Sequence, residues 1–121
     1  MAEHNLVGEK GEKIAQEFLV DNGFTIRHLN WRYKKNELDI IAEKNNLLVV
    51  VEVKTRTSEY FENPRDAVTR SKQKFMIKAT EAYIKEFDVN YETRFDVIGV
   101  SLLNKETKIE HIKDAFHPNL L

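Results

Sequence analysis

Cysteine is absent from the chain, which removes disulfides, thiol chemistry and cysteine-ligated zinc. Proline and glycine are scarce, at two and four residues, so the elements are expected to run with few interruptions. The longest apolar run, Leu47 to Val51, is far short of the roughly 20 residues that a transmembrane helix needs. Residues Met1 to Asn5 show no basic start leading into an apolar stretch, so no secretory signal is read and a cytoplasmic location is the expectation. An excess of either charge is also missing. The net charge is -1 and the pI about 6.4, which excludes a protein held to nucleic acid by bulk charge alone. Local basic surfaces are left open, between Arg65 and Lys78 and around Arg32, Lys34 and Lys35.

At 121 residues, with 41% hydrophobic and 32% charged, the chain reads as one globular domain over 1–121 that buries a core without disulfides. Gly8 to Asn22 reads as a helix with Ile14, Ala15, Phe18 and Leu19 on one face, stopped at Asn22-Gly23. Phe24 to Leu29 alternates like a strand, and polar Asn30 to Asn36 reads as a loop. Strands follow at Glu37–Lys44 and Leu47–Arg56, joined through Asn45-Asn46, a pair that tolerates the positive φ of a two-residue hairpin turn. The unbroken run Leu47–Val51 fits a strand covered on both faces. Ser58 to Pro64 reads as a loop. Arg65 to Phe87 is mostly helical, broken near Thr69–Ser71 with Ser71 as cap, and buries Phe75, Met76, Ala79, Ala82 and Tyr83. Strands at Thr93–Leu103 and Lys108–Ile112 complete an α/β order of α-β-β-β-α-β-β, a mixed sheet flanked by helices.

Glu37-Leu38-Asp39 and Val51-Glu52-Val53-Lys54-Thr55-Arg56 carry the chemistry. If Lys44 pairs with Leu47 across the turn, Asp39 stands opposite Glu52 and Glu37 opposite Lys54. Opposed side chains in an antiparallel pair lie about 4.5–5.5 Å apart on the same face. Two carboxylates so placed beside a buried strand repel each other and lose solvation. A hard divalent cation such as Mg²⁺ or Mn²⁺ would compensate. A lysine two residues after the second acid could orient water and offset charge on a phosphate. An ordinary salt-bridged sheet face, Glu37 to Lys54 and Glu52 to Arg56, is the competing reading. Glu12 flanks the apolar stripe of the first helix; it either reaches toward the metal or is a solvated boundary residue near a helix N-terminus. His4, His28, His111 and His117 lack metal-ligand spacing.

Lys72, Lys74 and Lys78, with Arg70 before them, are candidates for phosphate contact, or else a solvated helix face. Arg56 is nearer the proposed site and is the stronger candidate. Arg32, Lys34 and Lys35, interleaved with Trp31 and Tyr33, form a basic and aromatic segment able to stack a base, unless Trp31 simply caps the core.

The segments Gly8-Glu9-Lys10-Gly11-Glu12, Asn30-Trp31-Arg32, Glu37-Leu38-Asp39-Ile40-Ile41, Val51-Glu52-Val53-Lys54-Thr55-Arg56, Lys72-Gln73, Arg94-Phe95-Asp96-Val97 and Ala115-Phe116 resemble the YraN-like family of predicted endonucleases. That family lies within the restriction-endonuclease-like superfamily. The resemblance implies the superfamily's helix–three strands–helix–strand core. It also implies that Asp39, Glu52 and Lys54 are the acid, acid and lysine of a metal-dependent phosphodiesterase motif. Glu12 resembles the first-helix glutamate that archaeal Holliday-junction resolvases place at the metal site. Glu37 also belongs to the family pattern, which assigns it no role; a hydrogen-bonding partner for Lys54 fits the cross-strand pairing above. One departure is visible: Asn36 stands where the family usually has glycine, and asparagine also tolerates positive φ.

The expectation is therefore a Mg²⁺- or Mn²⁺-dependent endonuclease acting on DNA, with structured or branched DNA suggested by the resolvase likeness. A homodimer is compatible with two-strand cleavage. The rivals are a non-cleaving nucleic-acid-binding or adaptor module and a protein-interaction domain.

Overall fold

The structure, a computed structural model, describes residues 2–57 and 63–118. Helix α1 (Ala2–Asp21) precedes three strands, β1 (Thr25–Tyr33), β2 (Asn36–Lys44) and β3 (Leu47–Arg56). A short 3₁₀ turn at Pro64–Ala67 leads into helix α2 (Arg70–Phe87), and strands β4 (Glu92–Ser101) and β5 (Lys108–Phe116) follow. The expected loop from Ser58 falls, over 58–62, outside the described residues. The strands lie in the order β1-β2-β3-β4-β5. All pairs are antiparallel except β3 with β4, which needs the crossover that α2 supplies. This is the α-β-β-β-α-β-β order read from the sequence. Among the described residues, no helix is long and apolar enough to cross a membrane.

β3 is the middle strand, and its apolar run is buried on both faces. Leu48 and Val50 pack with Met76, Ala79 and Tyr83 of α2. Val49 and Val51 pack with Ala15 and Leu19 of α1. The Asn45-Asn46 turn has φ of 51° and 61°, and Lys44 pairs with Leu47, as the turn chemistry requires.

Several boundaries differ from the sequence reading. α1 begins six residues before Gly8, and Leu6 in this extension is 63% exposed, outside the apolar stripe that marked the helix in the sequence. The expected loop at 30–36 is mostly strand. Trp31 and Tyr33 pack against the α2-side core, so the alternation of aromatic and basic residues is itself a strand pattern. The departure at Asn36 is accommodated elsewhere: the left-handed residue of that turn is Lys34, with φ 56°. Thr69, not Ser71, caps α2; it has extended backbone and accepts the Lys72 amide at 3.2 Å.

β5 runs to Phe116, past the expected end at Ile112, because Asp96 fastens it. Asp96 is fully buried. Arg94 donates to both its oxygens at 2.8 Å, and the Asp114 amide donates at 3.0 Å. The His111 Nε2 lies 2.7 Å away and must carry a hydrogen, since a carboxylate only accepts. Burial pushes the Asp96 carboxyl up, but His111, Arg94 and the Asp114 amide outweigh it and hold it below its ordinary value. A depressed carboxylate stabilises the fold at pH above its unfolded value, and that stability is lost as pH falls through the folded value. We expect Asp96→Ala to destabilise by about 3–5 kcal/mol, the range for breaking a buried ion pair. Denaturant unfolding at neutral pH measures this. The deficit against wild type should shrink below about pH 4, and a neutral-pH loss under about 1 kcal/mol would contradict the structural role.

Candidate active site

β2 and β3 part at the acidic residues. Their ladder runs from Lys44/Leu47 to Ile40/Val51 and goes no further. At the next position Asp39 substitutes its side chain for a main-chain acceptor, taking the Val53 amide at 2.9 Å. Strand alternation slips at the same place. Leu38 and Ile41 lie in the α2-side core, but Ile40 lies in the α1-side core, whereas strict alternation puts Leu38 with Ile40. A matching slip occurs on β1. Asn30, bracketed by the pairs Leu29/Ile40 and Trp31/Leu38, has a left-handed φ of 50°.

The expected cross-strand pairs are therefore corrected. Asp39 meets Glu52 through its side chain and not as a ladder partner, and Glu37 is not opposed to Lys54, because the ladder has ended. Nor does Glu37 share a face with Ile41 by simple alternation. The acids nevertheless converge. Asp39 and Glu52 are in contact, so that Glu52 when protonated donates to the Asp39 carboxylate and the two repel when both are ionised. Glu12, half-buried on α1, is within the electrostatic reach of Asp39 and Glu37 and bonds the Asn30 side chain. Gly11 lets α1 approach this closely, since a Cβ there would come within 1.8 Å of Thr55 Oγ1.

The ammonium at the carboxylate pair belongs to Lys72. Glu52 continues the Leu48–Val50 face of β3 toward α2, and Lys72 Nζ pairs with its Oε2. Lys54 is exposed, and no ion pair with a described residue holds it. Lys72 was read as a phosphate contact, and its place in the cluster was not foreseen. Its signal is its position on the first turn of α2, three residues after the cap. Asn30 was missed as well, hidden in a segment read as loop; the tolerance of asparagine for positive φ was the available clue.

Electrostatics distinguish the pair from a settled salt bridge. Burial pushes the Glu52 carboxyl up, repulsion from Asp39 adds to this, and Lys72 only partly opposes it, leaving Glu52 at about 7. Burial likewise raises Asp39, against the Val53 amide and the Lys72 charge. Burial and then Asp39 raise Glu12, with Asn30 pulling the other way. For Lys72, burial opposes the charge, but contact with Glu52 and the field of Asp39 outweigh it and raise its pKa.

The remaining candidates are spread around this centre. Arg32 is exposed and pairs in register with Glu37 across the β1–β2 hairpin. Trp31 caps the core edge-on to Tyr83, at 5.1 Å between ring centres. Arg56 is half-buried and lines a cleft of about 370 Å³ with Gly99, Ser101 and Lys108. Lys74 lies about 200° round the helix from Lys72, on the side of Lys78 and Glu81, and so points away from the carboxylates.

Among the described residues, no three His, Cys, Asp or Glu side chains already form a metal-holding group. The donor set is still of the right chemistry for a hard cation. All its groups are carboxylate oxygens, Asp39 and Glu52 are in contact, and Asp39 raises the proton affinity of Glu52. A raised acid favours folding when protonated; that contribution is full below its unfolded value and lost as pH rises through the folded one. In EDTA, the protein should therefore lose stability between about pH 5 and pH 8. Glu52→Gln should flatten that dependence in thermal melts across the range. An unchanged slope would show that the pair is not strained.

Residues 11–100 match the family described as Uncharacterised protein family UPF0102. The chain is 49% identical over 120 residues to a UPF0102 protein of Phocaeicola vulgatus, covering 98% of each. It is 48% identical over 117 residues to one of Flavobacterium psychrophilum, covering 97% of this chain and 98% of the other. A third, from Bacteroides thetaiotaomicron, is 48% identical over 120 residues, with 99% of each covered. The acidic positions, Lys54 and Lys72 all fall within the matched span. On these similarities, together with the fold that carries them, the chain belongs to the uncharacterised protein family UPF0102.

Proposed function

We propose that this protein is a Mg²⁺- or Mn²⁺-dependent nuclease that hydrolyses phosphodiester bonds of DNA, with a restriction-endonuclease-like core. The observation that carries the reading is the buried, mutually repelling Asp39–Glu52 pair at the point where β2 leaves β3. A fold gains nothing by placing two carboxylates there unless a cation compensates them. Resemblance to the YraN-like family and to archaeal resolvases supports the same residues, and suggests structured or branched DNA as substrate.

Asp39 and Glu52 would hold the cation, with Glu12 completing the set from α1. When bound, a divalent ion supplies charge for the phosphate oxygens and acidifies an attacking water. Asp39 is fixed for this task by the Val53 amide, and Glu52 by the rigid central strand. Lys54 lies exposed, two residues beyond Glu52 on the same strand face, and is able to neutralise a phosphate oxygen. Glu37, exposed beside the pair, shapes the local field and limits where a phosphate can sit. Arg32 and Arg56 flank the centre on separate strands, and phosphate contacts of that kind set register without reading sequence.

Purified protein should nick DNA with Mg²⁺ or Mn²⁺ in a panel of duplex, single-stranded, flap and four-way substrates. Asp39→Asn and Glu52→Gln should each lower the rate by at least about 10²-fold, the scale of losing a preorganised charge-stabilising group. Lys54→Ala should lower it with little change in metal affinity. Binding of branched DNA with no nicking under either metal would favour the adaptor reading instead. A homodimer, which two-strand cleavage would use, is checked by sedimentation of the same preparations.

A further inference from the structure

We propose that Lys72 is a built-in counter-ion, seated on Glu52 in the metal-free protein and displaced from it when a divalent cation enters. This rests on the nuclease reading and adds to it how the site is loaded. Three observations point to exchange and not to a permanent salt bridge.

The first is an asymmetry of freedom. The Lys72 side chain is 44% exposed and that of Glu52 only 8%. Glu52 is held in a strand buried on both faces, whereas Lys72 stands on the open first turn of α2. The backbone of that turn is fixed by the Thr69 cap, so only the lysine side chain needs to move. The flexible four-carbon stem of lysine permits that at small cost.

The second is a charge imbalance. Asp39, Glu52, Glu37 and Glu12 act on one another through space. The ion pair of Lys72 with Glu52 brings one positive charge to this group. A divalent ion brings two, and it reaches Asp39 and Glu52 together. The third is position around α2. Lys72 alone of Lys72, Lys74 and Lys78 faces the pair; the other two line a separate cleft. A solvated lysine row would not single out one member.

The exchange predicts that removing the lysine helps metal to bind. Isothermal titration with MnCl₂ on the full chain compares wild type with Lys72→Gln and Lys72→Arg. Lys72→Gln should bind Mn²⁺ on the order of tenfold more tightly, because no tethered cation competes. Lys72→Arg keeps a charge and should stay within about threefold of wild type. In EDTA, Lys72→Gln should melt below wild type and gain more from added Mn²⁺. A second measurement needs no variant: the Lys72 side-chain Cε and Nζ resonances of wild type should move toward those of a solvated lysine on saturation with Mg²⁺. Equal or weaker Mn²⁺ binding by Lys72→Gln, or resonances that do not move, would overturn the exchange while leaving the metal site standing. Wild-type protein that binds no Mn²⁺, or that binds it undiminished after Asp39→Asn, would overturn the nuclease reading and the exchange together.

Discussion

The hydrogen bond from the Val53 amide to Asp39 decides where the first acid goes. A strand that stayed in its ladder past Ile40 would satisfy that amide with a main-chain carbonyl and leave Asp39 on one face of the sheet. By giving the amide a carboxylate instead, β2 turns away and brings Asp39 against Glu52 without exposing an unpaired donor. The left-handed Asn30 makes the matching adjustment on β1, and its side chain reaches Glu12. One irregularity shared by two neighbouring strands thus gathers groups from α1, β2 and β3. The regular part of the fold holds this in place: four consecutive buried residues, Leu48 to Val51, fix β3 between two cores.

Two largely buried acids in this domain shift in opposite directions, and the difference separates support from chemistry. Asp96 is surrounded by donors from Arg94, His111 and the Asp114 amide, which more than offset its desolvation. Glu52 has one lysine on one side and a second carboxyl on the other, and its pKa is pushed up to about 7. At an effective dielectric near 20, one close ion pair is worth about 4 kcal/mol. That is of the same order as the several kcal/mol of desolvation for a single buried ion. A single ammonium therefore cannot settle two carboxylates. Acids perturbed by burial and a like charge cluster at functional sites.

What was legible in the sequence followed from local chemistry. Asn45-Asn46 set the turn, the turn set the register as far as Ile40 and Val51, and the apolar run identified β3 as the strand covered on both faces. The stripe Ile14, Ala15, Phe18, Leu19 placed α1 on the sheet. What escaped depends on tertiary contacts. The slip at Asn30 and Asp39 breaks the period-two rule that the register argument used, so the right residues converged by a route other than the expected one. The strand character of Trp31 to Tyr33 was masked by basic neighbours. The end of β5 depends on Asp96, eighteen residues from the amide it holds. Lys72 is one of three lysines on a helix, and only the packing of α2 on Glu52 distinguishes it.

The distribution of charge bears on how the proposed site would meet a substrate. The whole chain is close to neutral, so long-range attraction to nucleic acid is weak and contact must come from local groups. At the centre those groups are mainly acidic: Glu12, Glu37, Asp39 and Glu52, opposed there by Lys72. A phosphate approaching this cluster meets like charge, and the exposed Lys54 and Arg32 at its margin only partly offset it. An adaptor that binds DNA without cutting would have to keep the backbone away from the acids, leaving them without a purpose in binding. Under the proposed reading, a divalent cation would reverse the sign where the acids converge and would release the ammonium of Lys72 on the open side of α2. On the proposed reading the acids would oppose DNA binding by themselves and serve metal-assisted hydrolysis.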